Sequence, residues 1–220
     1  MHEDAVRPTR VGALRVLFVM ATRHEYGTHL AARMVPLVTG VGPVEAAIGT
    51  TACLHALQAA GELPDLVVSL GSAGSRRCPV GSVHQIASVA WRDMDASRIG
   101  FAPGVTPFAD HPAVLPLPTL LSDLPHASLS TGGDVVGGED YTTIDADLVE
   151  METYAVLRAC QRFAVPMIGL RGVSDGPGEL EGLGGWTELL ALLDERLALA
   201  VDQLFAVLAA QGLVPATDAI

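Results

Sequence analysis

Three segments of this chain, "RVLFVMA" (Arg15 to Ala21), "PDLVVSLG" and "VPMIGLRGVSD", are apolar almost without interruption instead of at every second position. A strand with one face in water alternates, whereas a continuous apolar run suits a strand covered on both faces. Helices must therefore lie on either side of these strands, and the sequence supplies them. In "PVEAAIGTTACLHALQAAG", Pro43 sits near the first helical position. Ala47, Cys53, Leu54 and Leu57 recur at helical spacing, and Gly61 closes the segment. "METYAVLRACQRF" reads as a second helix. From Trp186 onward, Leu189, Leu190, Leu193, Leu197, Val201, Leu204, Phe205 and Leu208 mark one face of a long amphipathic helix. "MVPLVTG", "SVHQIASVAWRD" and "HASLSTGG" add further strands, while Pro103 to Pro125 and "GPGELEGLGG" read as loops. Strands alternating with helices predict an α/β fold around a parallel or mixed sheet.

At 220 residues the chain suits one domain with a substantial core. We expect a polar arm over residues 1–14, the domain over 15–212 and a short tail over 213–220. Although 50% of the residues are hydrophobic, no apolar run reaches the roughly 18 uncharged residues of a membrane-spanning helix. The N-terminal "MHEDAVRPTR" lacks a signal-peptide pattern. Cys53, Cys78 and Cys160 are odd in number and form no CxxC pair, so a reducing microbial cytoplasm is the expected compartment. A formal net charge of −12 opposes non-specific binding to nucleic acids.

Only 17% of the residues are charged; the strand bodies are nearly uncharged, and polar and acidic groups recur where strands are predicted to end. Thr22 to Glu25, Gly71 to Gly74, Asp93 to Asp95, Gly132 to Asp134, Glu150 to Glu152 and Ser174-Asp175 all lie there. In an open α/β sheet, ligands bind beyond the carboxyl ends of strands, so one pocket lined by carboxylates is the economical reading. Each motif taken singly stays open. "LGSAGS" has neither the lysine of a P-loop nor a GxGxxG pattern, and is equally a tight turn after a strand. Arg171, inside an apolar strand, needs a partner because an unpaired buried charge is costly, so a structural ion pair competes with a catalytic role. Asp175 and Glu25 could each be a cap at a helix or turn. The histidines show no metal-ligand spacing, and there is no GxSxG elbow.

Taken in order, "VTGVGPVEAAIGTT", "VSLGSAGS", "VEMETYAVLRACQRFAVP" and "LRGVSDG" resemble the successive motifs of the purine nucleoside phosphorylase superfamily. They are most similar to its hydrolytic branch, the 5′-methylthioadenosine/S-adenosylhomocysteine nucleosidases. The resemblance runs from about Val16 to the final helix. It implies a three-layer α/β/α phosphorylase/hydrolase-like fold with a central mixed sheet in a compact variant, a small-molecule nucleoside substrate, and no cofactor or metal. It also implies a homodimer in which the partner chain helps complete the 5′ pocket. By the same resemblance Glu25 would help activate the attacking water, and Ser72 and Arg171 would help hold it. Glu152 would bind the ribose hydroxyls with Met151 packed under the sugar, and Asp175 would protonate the purine at N7. Val41, Val136, Ser174, Ile99 and Trp186 would line the substrate, the last two at its 5′ end. Glu150 reads as an orienting or structural partner of Glu152.

The chemistry asks for these residue types independently. Cleaving an N-glycosidic bond builds positive charge on the ribose and negative charge on the departing base. A protonated carboxyl at N7 neutralises the base, a carboxylate near the water serves as base, and another on the vicinal hydroxyls favours the sugar cation. An aspartate that also accepts from an exocyclic amine suits adenine, whereas relatives acting on 6-oxopurines tend to carry asparagine. Superfamily phosphorylases place an arginine just before the glycine loop. Here "VVSLGSAG" has none, and Arg76 and Arg77 follow the loop, so water is the expected nucleophile. The chain departs from the family in a short segment between Glu25 and "TGVG" and in an abbreviated, proline-rich region after Asp95. Val136 stands where the family has a phenylalanine stacked on adenine, leaving Tyr141 or Trp91 as the aromatic candidates. Arg98 lies beside Ile99, either solvated or turned toward an acidic 5′ group. The expected activity is hydrolysis of methylthioadenosine or adenosylhomocysteine. The alternatives are a nucleosidase or phosphorylase for adenosine or AMP, and a non-catalytic nucleoside binder.

Overall fold

The computed structural model describes residues 7–176, 178 and 189–211. Strands β1 (Thr9–Val11) and β2 (Leu14–Met20) are followed by helix α1 (Thr28–Ala31), β3 (Leu37–Val38), α2 (Pro43–Ala59), β4 (Leu66–Gly74) and β5 (Val83–Trp91). Then come β6 (Val114–Pro116), β7 (His126–Thr131), β8 (Leu148–Glu150), α3 (Thr153–Arg162), β9 (Met167–Asp175) and α4 (Leu190–Gln211). One mixed sheet runs β1-β2-β4-β8-β7-β5-β6, with β3 on β2 and β9 between β4 and β5. Within it β4, β9, β5, β7 and β8 close on themselves, because β8 returns to β4 through the antiparallel pair Gly74 and Val149.

The uninterrupted apolar strands are buried on both faces, as their composition requires. Leu17, Val19 and Val67 join α2 and α3 in one core cluster. Their neighbours Val16, Phe18, Met20, Leu66, Val68 and Leu70 join α1 and α4 in the other. The strand period of two thus divides a single apolar run between two helical layers, and the predicted three-layer arrangement is present. Among the described residues no helix is long and apolar enough to cross a membrane.

Three expectations change. The segment read as a polar arm contributes β1, which pairs antiparallel with β2 from Thr9 opposite Val16 to Val11 opposite Leu14. "MVPLVTG" keeps only Leu37–Val38 as strand. "GSAG" is neither loop nor turn, because β4 continues through Gly74, paired along most of its length with β9.

The buried face of α4 contains Asp194, 4% exposed. It accepts hydrogen bonds from the backbone N–H groups of Gly27 (3.0 Å), His29 (2.8 Å) and Leu30 (3.0 Å). These are first-turn donors of α1, whose cap residue Gly27 brings no side-chain acceptor. A carboxylate from the far end of the chain thereby anchors the loop that carries Glu25. Replacing Asp194 with alanine strands these donors and should lower stability by about 2–3 kcal/mol. A urea midpoint unchanged from wild type would show that the contact contributes nothing.

Candidate active site

Strand β8 ends at Glu150 and α3 begins at Thr153, so "EME" is a strand-to-helix junction. Its two carboxylates go to different partners. Glu150, 7% exposed, accepts through Oε2 from the N–H groups of Glu152 and Thr153 (both 2.8 Å) and from Thr153 Oγ1 (2.8 Å). Arg171 Nη2 lies 3.0 Å from the same oxygen, and Thr131 Oγ1 donates to Oε1. Burial alone would raise the Glu150 pKa, but Arg171 and these donors outweigh it and hold the group below the ordinary glutamate range. Glu150 is therefore the buried anion that Arg171 requires. Arg171 also donates to Ser69 Oγ (2.9 Å) and Thr153 Oγ1 (2.6 Å).

Glu152 faces the loop before α2 and accepts from the Gly42 N–H at 2.8 Å. Gly42 has φ +97°, a conformation disfavoured for residues with a side chain, which explains a glycine at this point of "TGVG". Burial, followed by the nearby Glu150 charge, pushes the Glu152 pKa up to about 7.

Glu25 closes a short 3-10 turn after β2, Arg23–Glu25, and is 8% exposed. Its Oε1 accepts from both the backbone N–H (2.7 Å) and the hydroxyl (2.6 Å) of Ser72. Burial raises its pKa, and the two Ser72 bonds and Arg171 offset only part of that shift. A Cβ on Gly71 would lie 3.3 Å from each Glu25 oxygen, so the bare strand makes room for the carboxylate. Glu25, Ser72, Ser69, Arg171 and Glu152 share the wall of a cavity of about 10 Å³, the space of about one water centre. Arg171 Nε is buried without a hydrogen-bond partner among the described residues.

A larger pocket of about 520 Å³ adjoins this cavity through Glu25, Ser72 and Glu152, and reaches Met151, Val41, Val136, Ser174 and Asp175. The register of β4 against β9 shifts here: Ala73 faces Val173, but Gly74 faces Asp175. The extra residue, Ser174, is a bulge that brings Asp175 opposite Gly74 instead of Ser75. Asp175 Oδ2 lies 2.8 Å from Ser174 Oγ, and Oδ1 accepts from the Tyr141 hydroxyl at 3.2 Å.

Sequence reasoning placed Glu25, Ser72, Met151, Glu152, Arg171, Ser174 and Asp175 around one locus, and the structure brings them together with Val41 and Val136. Ile99 is not brought there: it ends the exposed turn Ser97–Ile99, is 69% exposed, and does not line the pocket of its own chain. Arg98 beside it is also exposed. Trp186 lies outside the described residues. Trp91 does not line the pocket and instead stacks on Tyr154 with centroids 5.9 Å apart. Arg92 was missed. It lines the pocket and donates to the carbonyls of Ser130 (2.8 Å), Glu150 (2.9 Å) and Asp134, tying β7, β8 and the following loop together. A cation directly after a strand was its only sequence signal.

Residues 18–210 match the family model described as "Phosphorylase superfamily". The 5′-methylthioadenosine/S-adenosylhomocysteine nucleosidase of Actinobacillus succinogenes is 34% identical over 167 residues, 66% of this chain and 70% of its own. The chain belongs to this superfamily and to its methylthioadenosine/adenosylhomocysteine nucleosidase family. The nucleosidase of the same description from an Exiguobacterium strain is 29% identical over 211 residues, 86% of this chain and 88% of its own. Among solved structures, the nucleosidase of Colwellia psychrerythraea in complex with adenine superposes with a TM-score of 0.74 at 20% identity, over 91% of this chain and 98% of that one. A futalosine hydrolase mutant of Helicobacter pylori superposes with a TM-score of 0.73 at 19% identity, over 87% and 98%. At these identities the superpositions establish the shared fold.

This nucleosidase family member carries two raised carboxylates, which give its ligand-free form a pH signature. The folded state holds protons on Glu152 that the unfolded chain has released. The associated stability is therefore complete below about pH 4.5, the unfolded value, and is lost as pH rises through about 7. Glu25 adds a contribution of the same sign. Glu150, shifted downward, acts below this window. Denaturation of wild type and Glu152→Gln across pH 4.5–7 should give a falling stability that flattens in the variant. Identical slopes would refute the raised carboxyl.

Proposed function

We propose that this protein hydrolyses the N-glycosidic bond of an adenine nucleoside, 5′-methylthioadenosine or S-adenosylhomocysteine, releasing adenine and the thioribose. The observation that carries this reading is the water-sized cavity bounded by Glu25, Ser72, Arg171 and Glu152, opening to a pocket with a carboxyl at its other end. A cavity of that size suits a water molecule better than a phosphate. The cations after the glycine segment are also engaged: Arg77 pairs with Asp145 (2.8 Å) and Asp147 (3.4 Å), and Arg76 donates to the Ile144 carbonyl.

In the reaction, Glu152 binds the ribose hydroxyls over Met151, and the base extends toward Asp175. As the C1′–N9 bond breaks, its electron pair leaves with the purine and the Asp175 proton passes to N7. Water held by Glu25, Ser72 and Arg171 adds its oxygen to C1′ and gives a proton to Glu25. Nucleoside and water become base and sugar, and the proton gained at Glu25 balances the one lost at Asp175. Carboxylates beside the sugar stabilise its cationic character in a site closed to bulk water. Val136, 8% exposed, offers an aliphatic wall in place of an aromatic face.

The protein is further read as a cytoplasmic homodimer. Its three cysteines are free thiols, which suits a reducing compartment. Val44 and Ile48 are 67% and 60% exposed on one face of α2, continuous with Val41 (57%) at the pocket mouth. A partner seated there would cover the 5′ side, the place from which an exposed Ile99 could reach a pocket.

Adenine release should be measured in phosphate-free buffer from methylthioadenosine, adenosylhomocysteine, adenosine and AMP. We expect turnover of the thio-nucleosides that phosphate does not accelerate, falling by about 10²–10⁴-fold in Asp175→Asn and in Glu25→Gln. No turnover of any of the four by folded protein would sink the adenine-nucleosidase reading. Light scattering after gel filtration should give a dimer, and Val44→Glu with Ile48→Glu a monomer of reduced activity. A wild-type monomer would remove the dimer.

A further inference from the structure

The short segment between β7 and β8 supplies the acid end of the site with a partner that the mechanism above does not use. Tyr141 lies in the 3-10 turn Gly138–Thr143, is 3% exposed, and packs with Val136 and Val149. Its hydroxyl donates to Asp175 Oδ1 at 3.2 Å. The backbone below is cleared for this contact. A Cβ on Gly74 would fall 2.2 Å from the Tyr141 hydroxyl and 2.5 Å from Asp175 Oδ1, too close for either to remain. Three separate elements, β4, β9 and the turn, are thus shaped around one hydrogen bond.

We propose that Tyr141 is a positioning residue for Asp175, fixing the carboxyl through Oδ1 and making it a better proton donor to the departing purine. The proposal rests on the reading of Asp175 as the acid. The asymmetry of the two oxygens supports it. Burial pushes the Tyr141 pKa well above the ordinary tyrosine value, so its hydroxyl stays protonated and donates to Oδ1. With Oδ1 engaged by Tyr141, Oδ2 is the oxygen left to pass a proton to N7. The neighbour there, Ser174 Oγ, is a hydroxyl that can accept as well as donate, and it has a second acceptor in the Ala73 carbonyl at 3.4 Å. When the proton leaves Oδ2 for N7, negative charge develops on the carboxyl and the Tyr141 bond becomes charge-assisted. A bond that strengthens as the proton moves stabilises the transition state more than the ground state.

Tyr141→Phe removes the hydroxyl and keeps the ring in its packing. Its effect should depend on the leaving group. For methylthioadenosine, kcat should fall about ten- to a hundredfold with KM little changed. For a nitrophenyl 5-methylthioriboside, whose leaving group departs as a stable anion without protonation, the rate should stay near wild type. Asp175→Asn must show the same selectivity. If it does while Tyr141→Phe slows both substrates equally, or neither, the proposal fails and the acid reading stands. If Asp175→Asn spares methylthioadenosine, the acid reading falls and the proposal with it. Should the aryl riboside not be turned over, the double variant decides. A rate equal to that of Asp175→Asn alone supports coupling through the carboxyl, and independent multiplicative losses overturn it.

Discussion

The buried pair of Arg171 and Glu150 is the constraint on which the rest of the site depends. It joins β9 to the end of β8, and its hydrogen bonds extend to β4 through Ser69, β7 through Thr131 and α3 through Thr153. Two charges taken out of water repay their desolvation only when nearly every donor and lone pair is satisfied. Glu150 meets that condition with five donors, among them the backbone N–H groups of Glu152 and Thr153. Those N–H groups fix where α3 starts, so the position of the Glu152 carboxylate follows from an ion pair between two other residues. Truncating either partner would leave the other charge buried and unpaired. Activity lost on mutating Arg171 is thus expected whether its role is catalytic or architectural, and only the unpartnered Nε beside the small cavity distinguishes the two.

Strand β4 is the second organising feature. Gly71 leaves room for the Glu25 carboxylate and Gly74 for Asp175 with Tyr141, so the two ends of the site rest on one strand three residues apart. In a regular strand, positions 71 and 74 would face opposite sides. The Asp175 end is set by the β9 bulge at Ser174, which brings Asp175 opposite Gly74. The glycines that resemble a phosphate loop in sequence are therefore places where side chains from elsewhere press onto a continuous ladder.

The legibility of these features follows the range of the interactions behind them. The apolar strands and the stripe of α4 were readable because burial on two faces, or on one helical face, writes a local period into the sequence. The continuation of β4 through Gly74 was not, since glycine ordinarily weakens a strand and the reason for it here lies in Glu25, Tyr141 and Asp175. The edge strand Thr9–Val11 was hidden because three residues carry no period. Asp194 left a signal that could have been used: it sits in the apolar stripe of α4 between Leu193 and Leu197, where a carboxylate requires buried donors. The site residues themselves were reached through their order along the chain and the resemblance that order carried. Ile99 is the exception: it is exposed and does not line the pocket of its own chain.

The distribution of charge over the small cavity limits what can react there. Glu150 and Arg171 neutralise each other, so a group in the small cavity is exposed chiefly to Glu25 and Glu152, both held above their ordinary pKa. An approaching phosphate would meet carboxylates whose one neighbouring guanidinium is already paired. A ribosyl cation would meet the opposite, two buried carboxyl groups whose anionic forms its positive charge would favour. Elevated carboxyl pKa values are costly in the resting enzyme, since they record burial without a compensating cation. On the proposed reading, that same deficit of positive charge is what a developing oxocarbenium ion would relieve, so the reacting sugar would be bound more tightly than the intact nucleoside.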